Sequence, residues 1–260
     1  MSDILVEKIG AVTKITLNDP NSLNALSDDM QFELLRLVNE TALDNSVRAV
    51  LITGAGKGFC AGGNVKKMAG KIAESAEIRA EAMRQKHQVA IRIQHSPKIF
   101  IAAVNGACFG AGLGLAMTCD FRFAARSARF GTAFAKIGLS GDFGVTWTLT
   151  QLVGTAKARE LMILCEPFDA AKAKDLGIVN EVLVDDKLAD RAMEFAQRIA
   201  SGPTVAYGYI KHNLLAATTS SIEEAIQTEV RSQMHAIRAD DHREAVSAFG
   251  EKRPPVYTGT

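Results

Sequence analysis

Ile101-Ala-Ala-Val-Asn-Gly-Ala-Cys-Phe-Gly110-Ala-Gly-Leu-Gly-Leu-Ala-Met-Thr-Cys-Asp120 decides how this chain reads. An apolar run of strand length, Ile101 to Val104, feeds a glycine-rich turn, and the turn opens a short apolar stretch that Asp120 ends. A strand entering a helix through glycines lets backbone N–H groups come close to a ligand, and the helix start adds partial positive charge there. Further on stands Gly138-Leu-Ser-Gly-Asp142-Phe-Gly-Val-Thr-Trp147. Its one carboxylate, Asp142, sits among glycines and apolar residues. Together the two stretches make a place to stabilise developing negative charge, with a candidate base beside it.

Working outward, Ile4 to Leu17 alternates as two strands with a turn near Gly10, and Asn18 to Asn24 is turn chemistry. Ser27 can cap a helix from Asp28 to about Asp44 whose apolar face is Met30, Leu34, Leu37 and Val38. Ala49 to Thr53 is short and apolar, as in a buried parallel sheet, and Gly54 to Gly63 is a second glycine-rich loop. Lys66 to about Gln94 has a polar, mostly helical pattern. Beyond Gly154, helices are expected over Ala156 to Cys165, Asp169 to Gly177, Leu188 to Ser201, Thr204 to Ala217 and Ser221 to Arg238, with a strand at Ile178 to Val184. Strand and helix alternate through the first two thirds and helix dominates the last quarter. The class is therefore α/β with a C-terminal helical appendage. No fixed-period repeat is visible.

Composition excludes several functions. The chain has 260 residues, 47% of them apolar, and a net charge of +1. Disorder and a nucleic-acid partner are both disfavoured by those values. No leader pattern and no apolar run of about 18 residues is present, so a cytoplasmic protein without a membrane span is expected. Cys60, Cys108, Cys119 and Cys165 lack metal or disulfide spacing and read as buried thiols. His95, His212, His235 and His242 show no metal-ligand spacing, so no metal is expected.

In order along the chain, Leu23-Asn-Ala-Leu26, Gly58-Phe-Cys-Ala-Gly-Gly63, Ala103-Val-Asn-Gly106, Gly110-Ala-Gly112, Cys119-Asp120, Leu152-Val-Gly154, Leu176-Gly-Ile-Val179 and Ala248-Phe249 with Glu251-Lys-Arg253 resemble the crotonase, or enoyl-CoA hydratase/isomerase, superfamily. The resemblance implies a crotonase-like spiral of stacked ββα units over residues 1–200. It also implies a helical trimerisation region over 201–260, giving a homotrimer or a dimer of trimers. The implied substrate is an acyl-CoA, with no cofactor beyond the CoA it carries. Two peptide N–H groups would hold the thioester oxygen, by position those of Ala61 and Ala111, the latter standing where a glycine is common. Gly62, Gly63, Asn64, Gly110 and Phe134 fall on surrounding substrate positions. Ala25 and Leu26 match the segment that packs along the nucleotide, while Phe249 and Lys252 match residues that lie by the adenine and its phosphates, often across a subunit boundary.

Departures from the family pattern narrow the chemistry. Its hydratases use two glutamates to orient water and supply a proton, and those positions fall on Gly114 and Phe134, which can do neither. Asp142 instead matches the lone acid of isomerases of the phenylacetate-pathway ring-epoxide and Δ3,Δ2-enoyl-CoA type. A 1,3-proton shift needs one base, which takes a proton from carbon 2 and returns it to carbon 4. The competing structural expectation makes Asp142 a cap for a helix beginning near Val145. The other functional alternatives are an Asp-dependent aryl-CoA dehalogenase or hydrolase, with His87 nearby, a hydratase, and a CoA-binding protein without catalysis. Asp120 reads as a structural hydrogen-bonding residue and Arg253 as a solvated basic end.

Overall fold

The computed structural model describes residues 3–64 and 75–260. β1 (Ile4–Ile9) and β2 (Val12–Leu17) form an antiparallel hairpin turning at Gly10. Ser27 then caps α1 (Asp28–Leu43), its hydroxyl accepting the Met30 N–H at 3.0 Å. The face carrying Met30, Leu34, Leu37 and Val38 is buried.

Three strand–strand–helix units follow: β3 (Ala49–Gly54), β4 (Gly58–Cys60) and α2 (Ala76–His95); β5 (Ile99–Val104), β6 (Ala107–Phe109) and α3 (Ala111–Thr118); β7 (Phe121–Ala125), β8 (Arg129–Gly131) and α4 (Val145–Leu164). Next come β9 (Phe168–Asp169), α5 (Ala170–Asp175), β10 (Glu181–Leu183), α6 (Leu188–Ala200), α7 (Thr204–Ala217), α8 (Ile222–Ala236) and α9 (Asp240–Glu251). The first strand of each unit joins a six-stranded sheet ordered β1-β2-β3-β5-β7-β10, parallel from β2 onward. The second joins a four-stranded sheet ordered β4-β6-β8-β9. Each unit therefore turns from one sheet into the other and leaves through a helix, a spiral of ββα units. Successive units begin at Ala49, Ile99 and Phe121, an uneven spacing that leaves no period in the sequence. β5 is buried along its whole length, which is why it reads as an unbroken apolar run.

Four boundaries differ from expectation. The helix placed over Lys66 to Gln94 runs over Ala76–His95, capped by Ser75; residues 65–74 lie outside the described residues. The helix placed at Ala156 begins at Val145 and is broken at Gly154, whose φ of 75° and ψ of 162° are not helical. Ile178 and Val179 do not extend β10, because both N–H groups close α5 by donating to the Ala173 carbonyl at 2.9 and 3.1 Å. α9 was not foreseen, for its N-cap Ala239 supplies no side-chain cap.

The helices after Gly202 are tied to the sheet by two cations. Arg48 donates to the carbonyls of Gly202 (2.7 Å) and Tyr257 (3.0 Å). Buried Lys211 reaches the Ile93 carbonyl (2.7 Å) and the Asp120 carboxylate (2.9 Å). Asp120 also accepts the Phe100 N–H at 2.8 Å, the structural role expected of it. All four cysteines are buried and unpaired, and burial pushes the Cys60 and Cys119 thiols up to about 12. Among the described residues no helix is long and apolar enough to cross a membrane.

Candidate active site

The two glycine turns meet at the switch between the sheets. Asn24 organises the first. It is fully buried, donating to the carbonyls of Ala55 (2.9 Å) and Gly58 (2.8 Å) and accepting the Asp19 N–H (2.8 Å). Asn105 grips the same loop from the second unit, through the carbonyls of Gly56 (3.0 Å) and Gly58 (3.2 Å) and the Gly54 N–H (3.1 Å). Asn24→Ala leaves buried backbone groups unpaired and is expected to cost about 2–3 kcal/mol, read as a lower midpoint in chemical denaturation; an unchanged midpoint contradicts this role.

The donors divide differently from the sequence reading. The Ala61 N–H is engaged by the Leu23 carbonyl at 3.0 Å, so it is not free to hold a thioester oxygen. Buried Ala25 and Leu26 lie along this turn, with the Leu26 N–H on the Gly62 carbonyl at 2.8 Å and Leu26 bridged to Gly63. That pairing engages the peptides either side of Gly63. The Gly63 N–H donates to no acceptor among the described residues. Asn64 follows in the same turn. No sequence signal separates Ala61 from Gly63, because the difference lies in which peptide faces Leu23.

On the second turn, Gly110 takes φ 52° and ψ −123°, a conformation closed to side-chain-bearing residues. Ala111 then has ordinary helical geometry, so alanine costs nothing there, and its N–H is one of the unpaired donors that open α3. A Cβ built on Gly62 would lie 3.4 Å from the Ala111 nitrogen, so the two turns touch. Gly112 permits this approach: a Cβ there would lie 2.2 Å from the Cys60 carbonyl oxygen. Phe134 is buried, its ring edge 3.6 Å from the Cβ position of Gly110.

Asp142 lies on the turn before α4. The N-cap of that helix is Gly144, with no side-chain capping bond, so the capping expectation for Asp142 fails. Its Oδ1 is buried and has no hydrogen-bond partner among the described residues. Burial raises its pKa, and the charge of Lys86 opposes the rise. The turn is strained: Gly141, Phe143 and Gly144 have φ of 116°, 51° and 73°. For a bulky phenylalanine that conformation costs roughly 1–3 kcal/mol, a strain that clusters at functional sites. Phe143 and Val145 press on Gly114, one helical turn from Ala111: a Cβ on Gly114 would lie 2.8 Å from the Phe143 carbonyl oxygen. The carboxylate turn is thus seated against the helix that supplies the second donor.

His87 approaches from α2, its ring edge-on to Phe143 with centroids 5.5 Å apart. Burial lowers its pKa, as does the Lys86 charge. Phe249 and Lys252 are not drawn into this buried region: Phe249 is 88% exposed on α9, and Lys252 ends that helix with φ 56°. Arg253 is more than a solvated end, since it pairs with Glu244 and Glu251 at 2.5 and 2.6 Å.

Touching glycine turns, two amides without acceptors among the described residues and a desolvated carboxylate define a site for chemistry on an activated carbonyl. Residues 7–260 match the enoyl-CoA hydratase/isomerase family, to which the chain belongs. It is 37% identical to the 1,2-epoxyphenylacetyl-CoA isomerase of Escherichia coli, over 98% of this chain and 97% of that protein. It is 34% identical to the short-chain-enoyl-CoA hydratase of Clostridium acetobutylicum, over 97% and 96%. The crystal structure of an enoyl-CoA hydratase from Bacillus anthracis superposes with a TM-score of 0.93 at 31% identity, covering both chains completely. The protein is an enzyme of the crotonase superfamily.

Proposed function

We propose that the protein is an acyl-CoA isomerase that shifts a double bond, or rearranges a ring epoxide, through a thioester enolate. The N–H groups of Gly63 and Ala111 hold the thioester oxygen. Asp142, ionised, takes a proton from carbon 2 of a 3-enoyl thioester; the dienolate forms with its charge on the held oxygen; the Asp142 carboxylic acid then protonates carbon 4. Two preorganised amides aimed at that oxygen lower the barrier by roughly 3–4 kcal/mol each. No cofactor enters this route. The observation that carries the reading is the Oδ1 of Asp142, buried, not capping a helix and without a hydrogen-bond partner among the described residues. The positions where the family's hydratases place glutamates carry Gly114 and Phe134, and Gly114 is sealed by Phe143 and Val145.

The test supplies 3-enoyl-CoA and 2-enoyl-CoA separately. Conversion of the first to the second, with no 3-hydroxyacyl-CoA from either, is expected. Hydration of 2-enoyl-CoA without double-bond migration would refute the reading. His87 beside Phe143 favours one second reading, nucleophilic attack by Asp142 on an aromatic acyl group with hydrolysis of the aryl ester; halide release from a halobenzoyl-CoA would mark it. For residues 201–260 we propose packing between copies as a homotrimer or dimer of trimers. The exposed apolar side chains of Ile210, Leu214, Val230, Met234 and Phe249 support it. Sedimentation equilibrium giving a monomer mass would contradict it.

A further inference from the structure

The turn that carries Asp142 is packed from three sides, and among the described residues it is α2 that brings ionisable side chains to it. α3, Ala111 to Thr118, has none, nor has the first turn of α4, Val145 to Thr148. Lys136, on the turn that follows Phe134, is exposed to solvent. On α2 the facing residues are Lys86, His87 and Ala90. The Ala90 Cβ lies 3.9 Å from the Cβ position of Gly144, and His87 meets Phe143. Lys86, one helical turn from Ala90, shares that face. Its side chain is 11% exposed, and its ammonium is pinned at 2.7 Å to Asp28 in the first turn of α1. A lysine held this way is no ordinary surface pair: its ammonium is tied across two helices, on the face that packs against the Asp142 turn, and its charge acts on a carboxyl whose Oδ1 has no hydrogen-bond partner among the described residues.

We propose that Lys86, anchored by Asp28, is a positioning residue that sets the protonation balance of Asp142 across the catalytic cycle, an inference resting on Asp142 as the base. Burial alone pushes the carboxyl toward its neutral form, which cannot accept the carbon-2 proton. A fixed cation restores the carboxylate. After the proton has moved to Asp142, the same cation makes the carboxylic acid a readier donor to carbon 4. Burial and the Lys86 charge both disfavour a charged His87, which leaves Lys86 as the fixed cation on that face among the described residues.

The experiment is the pH dependence of kcat for 3-enoyl-CoA isomerisation by the full-length enzyme. Lys86→Met is expected to move the acidic limb to higher pH, with about tenfold less turnover on that limb and the high-pH plateau kept. Lys86→Arg, which retains the charge, is expected to restore the original limb. Asp28→Asn leaves the Lys86 charge uncompensated and is expected to move the limb the other way, an arm that stands even if Lys86→Met fails to fold. Limbs that superimpose on the parent in both Lys86→Met and Asp28→Asn, with Asp142→Asn inactive, overturn the role of Lys86 and leave the base in place. Turnover retained by Asp142→Asn removes the base, and the inference with it.

Discussion

Asp142→Asn is expected to lower turnover of a 3-enoyl-CoA by about 10³- to 10⁴-fold while the protein becomes slightly more stable. The catalytic loss follows because a carboxamide cannot take a proton from carbon 2, and no second carboxylate is placed to substitute for it among the described residues. The stability gain follows from linkage. Burial raises the folded pKa of Asp142 above its unfolded value, so the folded state favours the neutral form. Stability is then highest below the unfolded pKa and falls as pH rises through the window up to the folded pKa. The ionised carboxylate that the proposed reaction needs is held against that preference, and its Oδ1 has no hydrogen-bond partner among the described residues. Asparagine removes the charge at nearly constant volume. The thermal midpoint measured at neutral pH should therefore rise as activity disappears; a variant that is inactive because it is unfolded would show the opposite. The same raised pKa is expected to make the parent enzyme lose activity as pH falls, because in the proposed route the ionised form accepts the proton.

The second large effect concerns an attempt to convert the enzyme. Gly114→Glu installs one of the glutamates of the family's hydratases, yet it is expected to yield no hydration of 2-enoyl-CoA and to lower isomerisation about 10²-fold. The cause is steric. A Cβ at this position would meet the Phe143 carbonyl oxygen at 2.8 Å and a Val145 methyl at 2.9 Å, and one of those contacts is backbone. Relief requires the turn carrying Asp142 to retreat from α3, at a cost of about 1–3 kcal/mol in stability. Displacing a base by an ångström is enough to lose that factor in rate. Gly114→Ala separates the contributions, since it adds the Cβ without the carboxylate. It should show most of the loss in isomerisation. Recovery of hydratase activity in Gly114→Glu would mean that the 142–145 turn yields freely.

The elements that create the site were largely legible in the sequence, because they depend on local chemistry. Gly110 announces a backbone conformation available only to glycine, and β5 announces its burial by an unbroken apolar run. Ser27 and the α1 face it introduces obey helix periodicity. What was not legible depends on partners distant in the chain. The Ala61 amide is lost to Leu23, a contact made by a neighbouring loop in left-handed conformation, and that moves the free donor to Gly63. Lys86 looks like any cation on a polar helix until α1 places Asp28 beside it. Capping by Asp142 is reasonable chemistry for an acid near a helix start, but Gly144 takes that place and no side chain caps the helix. Gly114 read simply as a missing glutamate, whereas the structure shows a contact that excludes one.

The central claim is spatial: a thioester oxygen between two amides, with one carboxyl over the carbons that exchange the proton. A crystal structure of the Asp142→Asn enzyme with 3-enoyl-CoA tests it most directly. The expected result places the thioester oxygen at about 3 Å from both the Gly63 and the Ala111 nitrogen, with the residue 142 side chain against carbons 2 and 4. A thioester oxygen held by other groups, or an acyl chain whose carbon 2 lies beyond reach of residue 142, would contradict it.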